Sequence, residues 1–490
     1  MKLNPIKSNI NPTSNPSNDT STNAMDPVVW ENWHKQRRWA RTGIIYTVFL
    51  AFAILFLSPL IFAALSSLKV DPLEYPPNLL SPQLNPVNWI QSARLGQAGG
   101  KNRFFGGFKP GGLIPFEITY FLPEGLEPEI PEPVVPRRRP GAGLGAVIQE
   151  TFAADFAQVS PVQIGSRIPG TRGTGDQEQE GLFVTYAFEV SYVGDGPTID
   201  RVPLDITAPR GQVYVGSTIT ASRIERLGRV ASFDNISPGA LGYIFRNYQR
   251  VFREARSIGT GRSLFASWYG NTLLFALARV ATNIFFATMA GYALARFRFR
   301  GRTVIFLLLL FAQMVPVQVI FISNYLVLRD GIWGLSRLFG APTLLNSLWG
   351  LIIGGAGTMI EASKVFIMKQ YFENLPKSIE EAARIDGASE WGLYWRIVFP
   401  MARPGIGAMV ILTFQGAWNE FFWSFIILTS PEEIKTLPIG LLSFRQIYGA
   451  AGDWGLILAG AMLSALPIIV LFVVFQKYFL QGVSFGGVKE

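Results

Sequence analysis

The chain has no cysteine and a single histidine, His34, in 490 residues. Disulfides, thiolate metal sites and cysteine nucleophiles are therefore excluded, and one histidine builds neither a zinc site nor a histidine-based catalytic set. His34 reads as a bystander in an interfacial run. Charge is scarce too: charged residues make up 16% of the chain, against about 25% in soluble domains. A Walker A loop is missing. It needs G-x-x-x-x-G-K-[ST], and Gly99-Gly100-Lys101-Asn102 lacks both the spacing and the hydroxyl. Gly141-x-Gly143-x-Gly145 is too short and too proline-flanked for a dinucleotide fingerprint and reads as a flexible loop. The chain by itself is then no ATPase and binds no cofactor that its motifs reveal.

What is abundant is apolar sequence, 49% of residues, with a mean hydropathy of +0.27. This defines an all-α polytopic membrane protein. Apolar runs near 43–66, 266–294, 302–328, 343–370, 404–429 and 455–480 predict about six spans, each sized for a hydrocarbon core of ~30 Å. The formal net charge is +9, but the cations sit beside the spans. Orientation and contact with membrane lipid headgroups account for them, and no nucleic acid partner is needed. Arg37, Arg38 and Arg41 precede the first span, and Arg296, Arg298, Arg300 and Arg302 fill the second connection. Both places are expected inside, which puts both termini and the 371–403 loop in the cytoplasm of a multi-pass inner-membrane protein.

The expected organisation runs from a disordered tail (1–27) to an interfacial segment and first span (28–70). In the segment, Trp30, Trp33 and Trp39 alternate with cations, which suits either a headgroup-level helix or a plain extension of the span. An extracytoplasmic insert (71–265) follows, then the membrane core (266–480) and a cytoplasmic tail (481–490). The insert is far too long for a connection. Phe183–Val193 alternates like a strand and ends at Gly194-Asp-Gly196, and Phe116–Phe121 and Gln212–Thr220 are weaker strands. A proline-rich connector, with Arg137–Arg139, occupies 123–140. The insert is expected to be a β-rich domain between the first and second spans.

Two stretches carry candidate function. In the 371–403 loop, Pro376 can start a helix on which Ile379, Ala382, Ala383 and Asp386 share a face. Gly387 can stop it in a left-handed conformation, Ser389 can cap a second helix through Ile397, and Pro400 is expected to end that one. Such a pair fits a groove on another protein, or lies flat on the bilayer. In the fifth span, Gln415, Trp418, Asn419, Glu420, Phe422 and Trp423 put polar groups and aromatics at membrane depth, where they suit either sugar rings or interhelical packing. Glu361 and Lys364 can pair at i, i+3.

Glu381-Ala382-Ala383-x-x-Asp386-Gly387-Ala388, then Ile397 and Pro400, resembles the EAA loop of ABC importer permeases, where a coupling helix docks into a cleft on a cytoplasmic ATPase subunit. Tyr292–Gly301 and Trp418-Asn419-Glu420-Phe-Phe-Trp423 resemble carbohydrate importers of the maltose type. Gly486, Gly487, Val488 and Lys489 resemble the tail of the MalG-like subunit, which reaches between the ATPases. Ser67-Leu68-Lys69, Tyr75-Pro76-Pro77 and Asn88-Trp89 resemble the start of its first external loop. The resemblance implies a second homologous permease, two ATPase subunits that hold ATP and magnesium, and an extracytoplasmic solute-binding protein. It covers about 40–90 and 245–490 and leaves the insert unexplained. The alternatives are an importer for a non-sugar solute, which would want Arg or Lys in the fifth span if anionic, and a membrane-embedded enzyme, which would need paired carboxylates or a nucleophile–base set within the spans, with only Glu361 and Glu420 as candidates.

Overall fold

The computed structural model describes residues 27–69, 82–99, 103–136, 155–173, 178–196, 198–257, 259–354, 361–449 and 453–484. The polar tail before Pro27, Tyr75-Pro76-Pro77, Arg137–Arg139, the Gly141–Gly145 glycines and the Gly486–Lys489 ending lie outside them. The chain divides into two units, Met1–Phe62 and Ala63–Glu490.

The first unit is most of helix α1 (Pro27–Leu68), whose part from Arg41 is long and apolar enough to cross a bilayer. Its backbone is helical without a break from Pro27, so the Trp- and Arg-rich segment extends the span instead of forming a separate piece. Pro59 lies inside this helix and has no N–H for the Leu55 carbonyl. The Ser58 hydroxyl donates to that carbonyl at 3.0 Å, which satisfies the acceptor within an apolar medium.

In the second unit, α2 (Pro86–Gly99) leads into the insert. Nine strands follow: β1 (Leu113–Pro123), β2 (Glu132–Val134), β3 (Ala157–Val159), β4 (Gln163–Arg172), β5 (Gln179–Tyr192), β6 (Leu204–Thr207), β7 (Val213–Ser217), β8 (Arg223–Glu225) and β9 (Val230–Phe233). They build two antiparallel sheets, β3-β5-β1-β7 with β4 also on β5, and β2-β6-β9-β8. Alternate residues of β1 and β5 (Ile114, Phe116, Ile118 and Tyr120; Val184, Tyr186, Phe188 and Val190) are buried, and so are Leu204, Ile206, Ala231 and Phe233 of the other sheet. The rings of Phe116 and Phe233 meet across the sheets at 5.0 Å. This is a β-sandwich, and each such ring contributes about 1.5–3 kcal/mol by burial. The β8–β9 turn is unusual. Arg226 and Leu227 hold φ of +53° and +57° before Gly228 at +88°, at a cost of about 1–2 kcal/mol per non-glycine residue.

Helices α3 (Gly239–Ile244) and α4 (Arg246–Glu254) carry the sandwich to the membrane core. Asn247 donates through its amide nitrogen to the carbonyls of Ser67 (2.9 Å) and Lys69 (2.6 Å), which satisfies orphan acceptors at the end of α1. Arg250 is the centre of an ion cluster. It pairs with Glu254 (2.6 Å), with Asp234 next to β9 (3.4 Å), and with Asp453, and Asp234 also pairs with Arg201. Burial pulls the Arg250 guanidinium down, but the carboxylates of Glu254, Asp234 and Asp453 outweigh it and hold it well above the usual range.

The core begins with α5 (Leu264–Arg296), a single helix of 33 residues. Its outer end is fastened to the loop after the fifth span. Trp268 donates to the Glu432 carbonyl at 2.8 Å, and Asn271 to the Glu433 and Lys435 carbonyls at 2.7 and 3.0 Å. The third stretch is not one straight helix but α6 (Arg302–Met314) and α7 (Val317–Arg329), sharply bent because Pro316 can neither continue the ladder nor let Val315 stay helical. The fourth, 343–370, holds α8 (Leu348–Gly354) and α9 (Ala362–Glu373), two short helices on either side of residues 355–360, which lie outside the described residues. In α9 the backbone approaches α5 so closely that a Cβ on Gly291 would sit 2.9 Å from the Lys369 nitrogen.

After α10 (Lys377–Ile385) and α11 (Glu390–Leu393), a π-turn at Tyr394–Val398 runs into α12 (Phe399–Met401). Pro400 therefore does not end the second loop helix. The widened turn absorbs the missing N–H, the proline sits in the first turn of the next segment, and the break comes at Ala402. The fifth stretch is α13 (Arg403–Trp418) and α14 (Phe422–Ile427). An outer helix, α15 (Leu437–Gly449), precedes α16 (Trp454–Ser484). Among the described residues, three helices are long and apolar enough to cross a membrane, or up to five if each bent pair is one span. That stands beside an expectation of about six, and the difference lies in the interrupted fourth stretch.

Candidate functional site

From Pro376 to Ser389 the 371–403 loop has the helix ends its sequence spacing predicts, with one face divided. Pro376 is the N-cap of α10. Gly387 follows at φ +82°, and the Gly387 and Ala388 N–H groups close on the Arg384 and Ala383 carbonyls at 3.1 and 3.0 Å. The Ser389 hydroxyl accepts from the Gly392 N–H at 3.1 Å and caps α11. Arg384 spans the corner in a two-bond pair with Glu390, at 2.9 and 3.3 Å. Hydrogen bonding from Arg384 holds the Glu390 carboxyl below the usual range. This contribution is present above the ordinary carboxylate range and is lost as pH falls through the depressed value.

The expected shared face of Ile379, Ala382, Ala383 and Asp386 is split by what lies behind it. Glu380 and Ala383 turn inward, whereas Ile379, Glu381, Ala382, Ile385 and Asp386 stay exposed. The inward pull is an ion pair. Arg296, the last residue of α5, donates to Glu380 at 2.7 Å with both side chains only 5% exposed, and also to the Leu375 carbonyl at 2.9 Å. Around it the Tyr292 ring lies 5.6 Å from Phe372 and 5.2 Å from Tyr394. The Tyr394 hydroxyl meets the Thr288 hydroxyl at 2.7 Å. In the sequence Arg296 reads as an orientation charge, and nothing there singles out Glu380. The signal that could have found the pair is an arginine closing an apolar helix and a glutamate opening the loop helix, both expected on the same side of the membrane.

The outward face carries Ile385, 86% exposed, and Trp391, 62% exposed, among the acids Glu381, Asp386 and Glu390. Nothing lies within 4 Å of where a Gly387 Cβ would be. Ile397 is half-buried, packed from below on the same cluster as Tyr394, and Ala388 packs beside it.

The six fifth-span residues are not brought to one surface. Trp418 is buried, stacked on Phe414 (5.5 Å) and edge-on to Tyr269 (5.4 Å), and its indole N–H donates to the Ser464 carbonyl at 2.9 Å. Trp423 is buried as well, and Phe422 packs edge-on to Phe321 at 6.0 Å. These three are packing residues, because a broken span needs large rings to fill the space at the break. Glu420 accepts from the Trp423 N–H at 2.9 Å and closes the start of α14. Gln415 and Asn419 remain exposed on one side, one helical turn apart. Glu361 and Lys364 do pair, at 3.0 Å, and Arg279 of α5 joins them at 2.5 Å from Glu361. Arg279 was missed, although a lone cation in the middle of an apolar helix is itself a signal.

This division makes a prediction. Trp418→Ala is expected to destabilise the protein by about 3–5 kcal/mol, read as a lower melting temperature in detergent. Gln415→Ala and Asn419→Ala, at exposed positions, should leave melting unchanged. Wild-type melting of the Trp418 variant would sink the packing assignment.

Bent and straight apolar helices around an exposed loop of two short helices describe a multi-helix membrane protein. Residues 283–485 match the family described as "Binding-protein-dependent transport system inner membrane component". The arabinooligosaccharides transport system permease protein AraQ of Bacillus subtilis (strain 168) is 34% identical over 277 residues, covering 56% of this chain and 88% of that protein. The maltodextrin transport system permease protein MdxG of the same organism is 34% identical over 271 residues, covering 55% and 89%. A solved bacterial ABC transporter involved in import of the acidic polysaccharide alginate aligns with 48% of this chain and 79% of its own, at 27% identity and a TM-score of 0.38. The chain belongs to the family of inner-membrane components of binding-protein-dependent transport systems. It is a permease subunit of an ABC importer, a transport component whose ATPase is a separate chain.

Proposed function

We infer that this chain forms half of the translocation path of an oligosaccharide importer and couples ATP hydrolysis to it through the 376–399 loop. Relatives named for arabinooligosaccharides and maltodextrin support a sugar cargo. The observation that carries the coupling role is the exposed Ile385 and Trp391 on a loop whose other face is locked to α5 by Arg296 and Glu380. A helix held so firmly from behind, with apolar side chains on its free face, is built to be pushed.

In this reading both termini and the loop are cytoplasmic. A second permease completes the path, two ATPase subunits with ATP and magnesium dock below on Glu381, Ala382, Asp386 and Gly387, and an extracytoplasmic binding protein docks above. Gly486–Lys489 reach the ATPases. Nucleotide-driven closure moves the loop, and rigid-body rocking alternates access to the path.

The test is direct. Gly387→Trp strains a left-handed residue by about 1–2 kcal/mol and fills open space on the docking face. Glu381→Lys reverses its charge. Each is expected to lower sugar transport in proteoliposomes at least tenfold and to release or uncouple the ATPase. Normal assembly and transport in both variants would count against the docking role.

A further inference from the structure

The insert has a near end and a far end. At the near end the Gly107 N–H donates to the Ser237 carbonyl at 3.0 Å just before α3, and α4 is tied to the ends of α1 and α16 through Asn247 and Arg250. Strand β1 climbs away from there: Phe116 meets Phe233 at the end of β9, and Phe121 pairs with Val213 at the start of β7. The β8–β9 turn hangs beside Val213, where the Tyr214 N–H donates to the Gly228 carbonyl at 2.9 Å. At about 3.3 Å per residue, the eight steps from Leu113 to Phe121 put this turn roughly 25 Å up the strand from where β1 begins.

The turn presents Leu227, at 95% the most exposed large apolar side chain among the described residues. Arg226 and Arg229 flank it, and Ile224 on the same hairpin is half-exposed. Arg229 is engaged with the Ala208 carbonyl at 3.2 Å and Arg223 pairs with Glu225 at 2.6 Å, so the cation left at the tip is Arg226. A leucine and an arginine in left-handed backbone are a poor choice for a turn that asparagine and glycine would make without strain. Keeping them means the side chains matter more than the turn. A lone apolar knob beside a cation matches a partner with a small apolar recess rimmed by acid.

We propose that the Arg226–Leu227 tip is a docking knob for the solute-binding protein of this importer. The proposal rests on the reading that the chain works with such a protein. The height of the tip favours this occupant, because the chain's own apolar helices join the sandwich at its other end.

The test uses the complete complex in lipid nanodiscs and the binding protein that supports its transport. Leu227→Asp with Arg226→Glu should raise the binding-protein concentration for half-maximal ATPase stimulation at least tenfold, with basal ATPase unchanged. Leu227→Gly should also weaken stimulation, yet raise the melting temperature of the insert, because glycine relieves the strained backbone. A purely structural turn would move both readings the same way. Normal stimulation in both variants overturns the knob and leaves the binding-protein reading intact. No stimulation of the wild type overturns both. A photo-crosslinker at position 227 that captures the second permease in the purified complex also overturns the proposal.

Discussion

Replacing Arg296 with alanine should abolish ATP-driven transport while leaving the fifth apolar stretch folded. The change strips the partner from Glu380, a carboxylate 5% exposed at the base of the coupling loop. Removing one member of a buried ion pair costs about 3–5 kcal/mol, because the other charge is left without water or partner. At about 1.4 kcal/mol per tenfold, the docked position of α10 would lose two orders of magnitude or more in population. ATPase subunits could then still bind Ile385 and Trp391, but their motion would swing a loose loop. ATP hydrolysis that persists with transport cut at least tenfold is the signature. Glu380→Ala should behave alike, since it leaves the Arg296 cation buried. The exchange Arg296→Glu with Glu380→Arg should recover part of the loss. Transport within twofold of wild type in the single variants would remove the pair from the coupling path.

The second large effect is expected at Arg250. Arg250→Met leaves Glu254, Asp234 and Asp453 facing one another around an uncharged side chain. The buried-pair penalty of about 3–5 kcal/mol applies again, now at the seam between the sandwich and the last span. Amide exchange should rise through 230–257 and at the start of α16, with the interior of the sandwich still protected by its own core. In the native protein Arg250 sits above its ordinary range, so its own charge is complete at every physiological pH and is lost only in strong alkali. Unchanged exchange at neutral pH would show that the seam is held by other contacts.

The legible parts of this chain were those where local chemistry and the fold agree. Gly387 at a helix end, Ser389 before the next helix and the alternation of Phe183–Val193 each report a backbone state that the same few residues enforce. The rest depends on distant partners. Short strands such as β8 and β9 exist only because the other sheet covers Ala231 and Phe233. In the candidate site, nothing in the local spacing says that Ala383 faces in and Ala382 out; Arg296, 84 positions from Glu380, decides it. Pro400 was misleading for a related reason. Proline blocks one hydrogen-bond register, and the chain took another. Trp418 and Trp423 look like sugar-stacking residues in isolation, and only the break between α13 and α14 shows the gap they fill.

Helix α5 carries Trp268 near one end and Arg296 at the other within one continuous helix of 33 residues, about 50 Å at 1.5 Å per residue. A rod fastened at both ends cannot report a movement on one side and ignore it on the other. If it turns about its middle, a tilt of about 10° sweeps each tip by about 4 Å in opposite directions over such a length. Opening one mouth of the path is then mechanically the same event as shutting the other, and a state with both mouths open would require the rod to break.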